Sequence, residues 1–216
     1  MIEINNISKR YHRGAKVFTA LKDVTFKIEK GEFCLVNGPS GAGKSTLLHI
    51  IGGLTHTDTG KVLYNSNDLY RQSSLYIDQY RKKYLGFMFQ QFHLMPYLTV
   101  NENIKLACYD KKHKEKIDFY LEKCSLSEMK NKYPSELSVG EKQRTAFIRA
   151  IISGPELLLA DEPTGNLDPV NSKILMSLLT EFNKNNGTVV LVSHDTGMSD
   201  YADRKIFLEK GMMKQS

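Results

Sequence analysis

The stretch Gly38-Pro39-Ser40-Gly41-Ala42-Gly43-Lys44-Ser45-Thr46 constrains this 216-residue chain more than any other. It follows an apolar run, Phe33-Cys34-Leu35-Val36, and opens onto Leu47-Leu48-His49-Ile50-Ile51. That order of strand, glycine loop and helix is what a phosphate-binding P-loop requires. Three glycines let the backbone curl until successive N–H groups point inward, and the helix that follows adds the positive end of its dipole. In such a loop Lys44 reaches the β- and γ-phosphates and the Ser45 hydroxyl sits on Mg²⁺. The alternative, a glycine-rich turn merely capped by Ser45, leaves the flanking strand and helix unexplained.

The chain is long enough for one large α/β domain, with a buried core and room for an inserted subdomain. No apolar run approaches the ~18 residues of a membrane span, and the opening Met1-Ile2-Glu3-Ile4-Asn5 is not patterned as a secretory signal. Any action at a membrane therefore calls for another chain to do the spanning. The formal charge of +6 suits anionic partners. Clusters such as Arg81-Lys82-Lys83 and Lys111-Lys112-His113-Lys114 also read as solvated faces. Three scattered cysteines, Cys34, Cys108 and Cys124, fit a reducing compartment and argue against a zinc or disulfide framework.

Strands are predicted at Ile2 to Ile7, Val24 to Ile28, Gly60 to Tyr64 and Leu85 to Phe89, with Tyr11 lying between the first two. An aromatic there can stack on a purine or sit half-buried. From Val100 to Lys132 the chain is rich in Lys and Glu and poor in glycine, and its periodicity predicts two helices closed by Pro134. Alternation of strand and helix then resumes: Leu157 to Ala160 as a strand buried on both faces, Ser172 to Asn183 as an amphipathic helix, then Thr188 to Val192 and Lys205 to Glu209 as strands. The division expected is a core with a β subdomain, residues 1–92 and 146–216, interrupted by a small helical subdomain, 93–145.

Further residues gather chemistry around the loop. Asp161 and Glu162 stand at the end of a buried strand, where ligands bind in open α/β sheets. They can hold Mg²⁺ and orient an attacking water, or simply cap the turn Pro163-Thr164-Gly165. His194 follows a second apolar strand, placed either for a γ-phosphate or for a backbone hydrogen bond. Gln90 ends a strand-like run, where its amide can bridge metal and water or lie idle on the surface. In Leu137-Ser138-Val139-Gly140-Glu141-Lys142-Gln143-Arg144, Ser138 and Glu141 form a capping box that starts a helix running to Ala150. A capped helix start also offers N–H groups to an anion. The chain already has one phosphate cradle, so a second is surplus unless it serves another molecule's nucleotide.

A P-loop, a glutamine, an LSxGx stretch before a strand ending in Asp-Glu, and then a histidine resemble the ATP-binding-cassette ATPases over essentially the whole chain. The resemblance implies a RecA-like P-loop NTPase core with an antiparallel β subdomain and a helical subdomain. It also implies head-to-tail homodimers sandwiching ATP and Mg²⁺ between one P-loop and the opposite signature. Carried over, Tyr11 stacks on adenine, Gly38 through Thr46 bind phosphate, and Ser45, Gln90 and Asp161 attend the metal. Lys44, Gln90, Glu162 and His194 carry catalysis, Ser138, Gly140 and Glu141 belong to the signature, and Asp168 to the D-loop. The signature departs from LSGGQ at Val139 and Glu141. Gly86-Phe87-Met88-Phe89-Gln90-Gln91-Phe92-His93-Leu94-Met95-Pro96 resembles the branch serving lipoprotein release, macrolide efflux and cell division, although the helical stretch is short for it. That branch implies an integral membrane permease as partner, no nucleic acid, and a peripheral position on the inner face of the cell membrane. Rival expectations are a soluble cassette acting on DNA or ribosomes, a P-loop kinase, and a weakly hydrolysing scaffold.

Overall fold

The computed structural model describes residues 1–14 and 16–214. It begins with a long antiparallel hairpin, β1 (Ile2–Arg13) and β2 (Lys16–Ile28). Tyr11 therefore lies within β1, paired with Phe18, rather than between two short strands. The shorter expectation followed the apolar alternation, which fades where the hairpin leaves the core; backbone pairing continues without it. Between the pairs Lys9–Leu21 and Arg10–Thr19 the register slips by one residue, leaving Ala20 as a bulge.

Strand β3 (Phe33–Asn37) leads through the glycine loop into α1 (Lys44–Ile51). β4 (Thr59–Tyr64) and β5 (Asn67–Asp68) complete a four-stranded antiparallel sheet, ordered β2-β1-β4-β5. Next comes α2 (Ser74–Tyr84), a helix absent from the sequence-based expectation. It buries only Ile77 and Tyr80, too few positions to register as periodicity among its charges. The Tyr80 hydroxyl donates to the Ile51 carbonyl at 3.0 Å, tying α2 to the end of α1.

After β6 (Leu85–Met88) come α3 (Val100–Lys105), α4 (Lys111–Glu115) and α5 (Ile117–Lys123), three short helices where two were expected. α6 (Val139–Ile151) and α7 (Pro169–Lys184) flank β7 (Leu157–Asp161), and β8 (Thr188–Ser193), β9 (Arg204–Glu209) and β10 (Met212–Lys214) finish the chain. The second sheet is ordered β10-β9-β3-β8-β7-β6, parallel except for β10.

Its central strands are apolar throughout because each face packs on a different core. Cys34, Val36, Leu157, Leu159, Val190 and Val192 meet α1 and the antiparallel sheet. Their alternate neighbours Phe33, Leu35, Leu158, Ala160, Val189 and Leu191 meet α3, α5, α6 and α7. α6 runs across residue 145, and its Phe147 and Ile148 share one core with Val100 and Ile104 of α3. Helical segment and sheet are thus packed through the same helix. Gly86 permits that approach, since a Cβ there would overlap the Ala150 carbonyl.

Candidate functional site

Parallel register brings four strand ends to one edge. Asn37 pairs with Ser193, Asp161 with Val192, and Met88 with Ala160. The residues that follow, Gly38, His194, Glu162 and Gln90, therefore emerge side by side where open sheets bind ligands.

In the glycine loop Gly41 and Gly43 have φ of 77° and 102°, conformations that side chains rarely adopt. Gly43 is the N-cap of α1 and sits against the β2 bulge, where an added Cβ would overlap the Ala20 carbonyl oxygen. The loop folds back over Lys44, which is 6% exposed. Its ammonium donates to the carbonyls of Gly38 at 2.8 Å and Pro39 at 3.1 Å, and lies 3.4 Å from Glu162 Oε1. Pro39, Ser40, Ala42 and Thr46 complete the loop and the first turn around it.

Ser45 Oγ donates to Asp161 Oδ1 at 3.0 Å, joining the start of α1 to the end of β7. Burial pushes the Asp161 carboxyl up from its ordinary value, and the Ser45 hydrogen bond works against that rise. Glu162 holds a left-handed backbone, φ 46°, with its N–H bonded to the Val192 carbonyl at 2.9 Å. This turns its carboxylate back into the site, where Oε2 meets His194 Nδ1 at 2.6 Å. With the carboxylate oxygen as acceptor, Nδ1 is the donor of this pair. Glu162 thus links the P-loop lysine to the histidine of the neighbouring strand. Gln90, two residues beyond β6, is exposed at the same edge.

Tyr11 is 39% exposed, with the Lys9 ammonium 5.5 Å from its ring centre. Its partner Phe18 is two residues from Ala20, so at ~3.3 Å per strand residue the aromatic pair stands roughly 7 Å beyond the bulge that backs Gly43. Phe18 has no signal in the sequence beyond its β-propensity; only the hairpin register sets it opposite Tyr11.

The signature residues form the start of α6. Ser138 Oγ accepts from Glu141 N–H at 3.3 Å, while Glu141 Oε2 accepts from Ser138 N–H at 2.7 Å and from Ser138 Oγ at 2.8 Å. Glu141 in place of glutamine therefore occupies the serine hydroxyl with a full negative charge. Gly140 packs against α7, where a Cβ would overlap Asn171 Oδ1. Asn171 accepts from Arg144 at 2.7 Å and donates to Asp168 Oδ2 at 2.5 Å, and Asp168 caps α7 through the N–H groups of Val170 and Asn171. Signature helix and D-loop are thus one hydrogen-bonded unit. Asn171 carries no signal in the sequence, because its pairing with Arg144 spans two helices.

The cap has a measurable acid dependence. The two hydrogen bonds from Ser138 hold the Glu141 carboxyl below its ordinary value of 4.5. A carboxyl depressed in the fold adds stability above its unfolded value and loses it as pH falls through the folded one. Glu141→Gln is expected to lower the midpoint of thermal unfolding slightly at pH 7, where the charged cap contributes, and for that reason to lessen its drop between pH 5 and pH 3. An identical acid limb in both proteins, measured by calorimetry, refutes the assignment.

Together, a glycine loop closed on a lysine, a Ser–Asp oxygen pair and a carboxylate beside a histidine at one sheet edge define a P-loop nucleoside triphosphatase. The comparisons narrow the class. Residues 21–165 match the family model described as ABC transporter. YxdL, an ABC transporter ATP-binding protein of Bacillus subtilis, is 40% identical over 98% of this chain and 84% of its own length. LolD, the ATP-binding protein of a lipoprotein-releasing system in Buchnera aphidicola, is 41% identical over 90% of this chain and 88% of its own. The solved dimeric structure of the ABC transporter cassette MJ0796 superposes with a TM-score of 0.92 at 35% identity, covering 100% of this chain and 97% of that one. The same cassette has also been solved as a post-hydrolysis dimer bound to ADP and Pi. This chain belongs to the ABC transporter ATPase family, on the branch its motifs resemble.

Proposed function

We propose that the chain hydrolyses Mg²⁺-ATP in sites shared between two copies, and passes the resulting motion to a membrane-embedded permease from the cytoplasmic face. The observation that carries the shared-site reading is that Ser138 shares no hydrogen bond with the P-loop of its own chain. Among the described residues its side chain bonds only to Glu141, and α6 packs on α3, α7 and β6. An anion-binding helix start so placed is free for the nucleotide held by a second copy's P-loop.

The donors present suit magnesium. Ser45 and Asp161 are hard oxygen ligands within 3.0 Å of each other, and P-loop sites complete the coordination with phosphate and water. Bound there, the ion would neutralise charge on the β- and γ-phosphates. Lys44 exchanges its carbonyl partners and Glu162 for γ-phosphate oxygens. Glu162, released from Lys44, orients the attacking water and accepts its proton, while His194 steadies the carboxylate through Nδ1 and presents Nε2 to the γ-phosphate. Gln90 reaches the same edge from β6. Tyr11, with Phe18 beside it, stacks on adenine. Reopening follows when the γ-phosphate no longer joins Lys44 to the opposing Ser138.

The rivals lack support at this level. A kinase has no use for the α6 start, and among the described residues no long coiled-coil insertion separates the motifs. No helix among the described residues is long and apolar enough to cross a membrane, and the spanning role falls in this reading to a permease. A groove of about 350 Å³ beside Gln90, lined by Phe87, Phe89, Leu106 and Tyr109, is the seat proposed for it.

Dilution is the direct test. Specific ATPase activity is expected to fall as protein is diluted through the dimerisation range, and Ser138→Ala is expected to lower turnover at least ~10-fold. Full activity in a monomer at every dilution, with Ser138 dispensable, overturns the reading.

A further inference from the structure

Two basic runs far apart in the sequence, Arg81-Lys82-Lys83 and Lys111-Lys112-His113-Lys114, meet on one face of the fold. The first ends α2 and the second builds α4. Tyr109 joins them. The Lys82 ammonium stands 4.5 Å from the centre of its ring, and its backbone N–H donates to His113 Nδ1 at 3.3 Å. Lys105, at the end of α3, belongs to the same face. Burial raises the Cys108 thiol, and Lys114 and Lys105 both lie close enough to draw it back down.

Little negative charge balances this face. Asp110 is turned onto the start of α4, accepting from the His113 N–H at 2.9 Å. Glu115 lies 3.9 Å from Lys111, and Arg81 is held by Asp78 and the Gly53 carbonyl. Among the described residues Lys82, Lys83, Lys105, Lys112 and Lys114 enter no ion pair, and all five are exposed. Two runs serving only as solvated surface would repel each other least if kept apart. Here the fold gathers them around an aromatic ring that is itself 49% exposed.

A spread of ammonium groups with no pocket between them does not grip a single phosphate; it matches a plane of them. A half-exposed tyrosine suits the headgroup level of a bilayer, where its ring and hydroxyl find different surroundings. We propose that this face rests against the anionic phospholipid headgroups of the membrane that holds the permease. The proposal rests on the permease reading only for its orientation, since Tyr109 also lines the groove proposed as the permease seat. Each lysine close to such a surface strengthens partition about fivefold. The contact is reversible by itself and adds to the hold of a protein partner.

Co-sedimentation of the full chain with vesicles tests this, using pure phosphatidylcholine and an equimolar mixture with phosphatidylglycerol. Binding is expected to the mixed vesicles alone, weakening as salt rises. Lys111→Glu, Lys112→Glu and Lys114→Glu combined are expected to lower the partition coefficient at least about tenfold. Lys82→Glu with Lys83→Glu is expected to lower it several-fold, although these residues lie on another element. Lys205→Glu with Lys210→Glu makes the same charge change on β9 and the turn after it, and is expected to bind nearly as the wild type does. Every variant is expected to keep the basal ATPase rate. Equal binding to both kinds of vesicle, equal loss in the β9 pair, or full binding by either face variant overturns the proposal. Capture of single-stranded RNA without any vesicle binding overturns it too. Copurification in detergent with the membrane protein encoded beside this chain reads the permease separately. A wild type that binds mixed vesicles but brings down no membrane protein overturns the permease reading and upholds the lipid-binding face.

Discussion

Glu162→Gln is expected to slow ATP turnover by about 10²- to 10³-fold while leaving ATP binding intact. The amide keeps the size of the side chain but cannot accept a proton, and it abolishes the charge that now faces Lys44 at 3.4 Å and His194 at 2.6 Å. Because the P-loop carbonyls still hold Lys44, nucleotide should enter normally and stay. Phosphate release assays should show the loss, and gel filtration in ATP should show a lasting dimer. A rate above one tenth of wild type would remove Glu162 from the water-activating role. It would return the weakly hydrolysing scaffold to consideration.

Gly43→Ala should be nearly as damaging for a different reason. Its φ of 102° disfavours any Cβ, and the Ala20 carbonyl occupies the space that one would need. Strain and overlap together are expected to cost about 2–4 kcal/mol and to displace the Lys44 ammonium from its cradle. Gly41→Ala is the matched control. Its φ is also positive, 77°, but no atom lies within 4 Å of the added methyl. We expect about 1 kcal/mol there, with ATP affinity reduced much less. Equal losses in the two variants, measured by calorimetry and by binding of a fluorescent nucleotide, would show that backbone conformation rather than the bulge at Ala20 shapes the loop.

Both results bear on what a linear reading can reach. The P-loop was legible because its chemistry is local: glycines, lysine and serine at fixed spacing between a strand and a helix. Asp161, Glu162 and His194 were legible for a related reason, since each directly follows a run apolar enough to mark a strand buried on both faces. Strand ends of a parallel sheet must share an edge, so placing them together required only the fold class. The hairpin tip was less legible, because exposed strand residues carry no hydrophobic alternation, and Tyr11 was consequently put outside β1. Helix α2 escaped for the same cause, since it buries only Ile77 and Tyr80.

By itself the sequence determined the sheet class, the phosphate cradle, the strand-end carboxylates and the capped start of α6, since each is written in neighbouring residues or in a short periodicity. Tertiary structure alone decided which groups meet: Glu162 between Lys44 and His194, Ala20 against Gly43, Asn171 over Gly140, and Lys82 over Tyr109. Those encounters depend on strand register, on one bulge and on how two helices cross. They are set by packing the whole chain at once, and no local stretch encodes them.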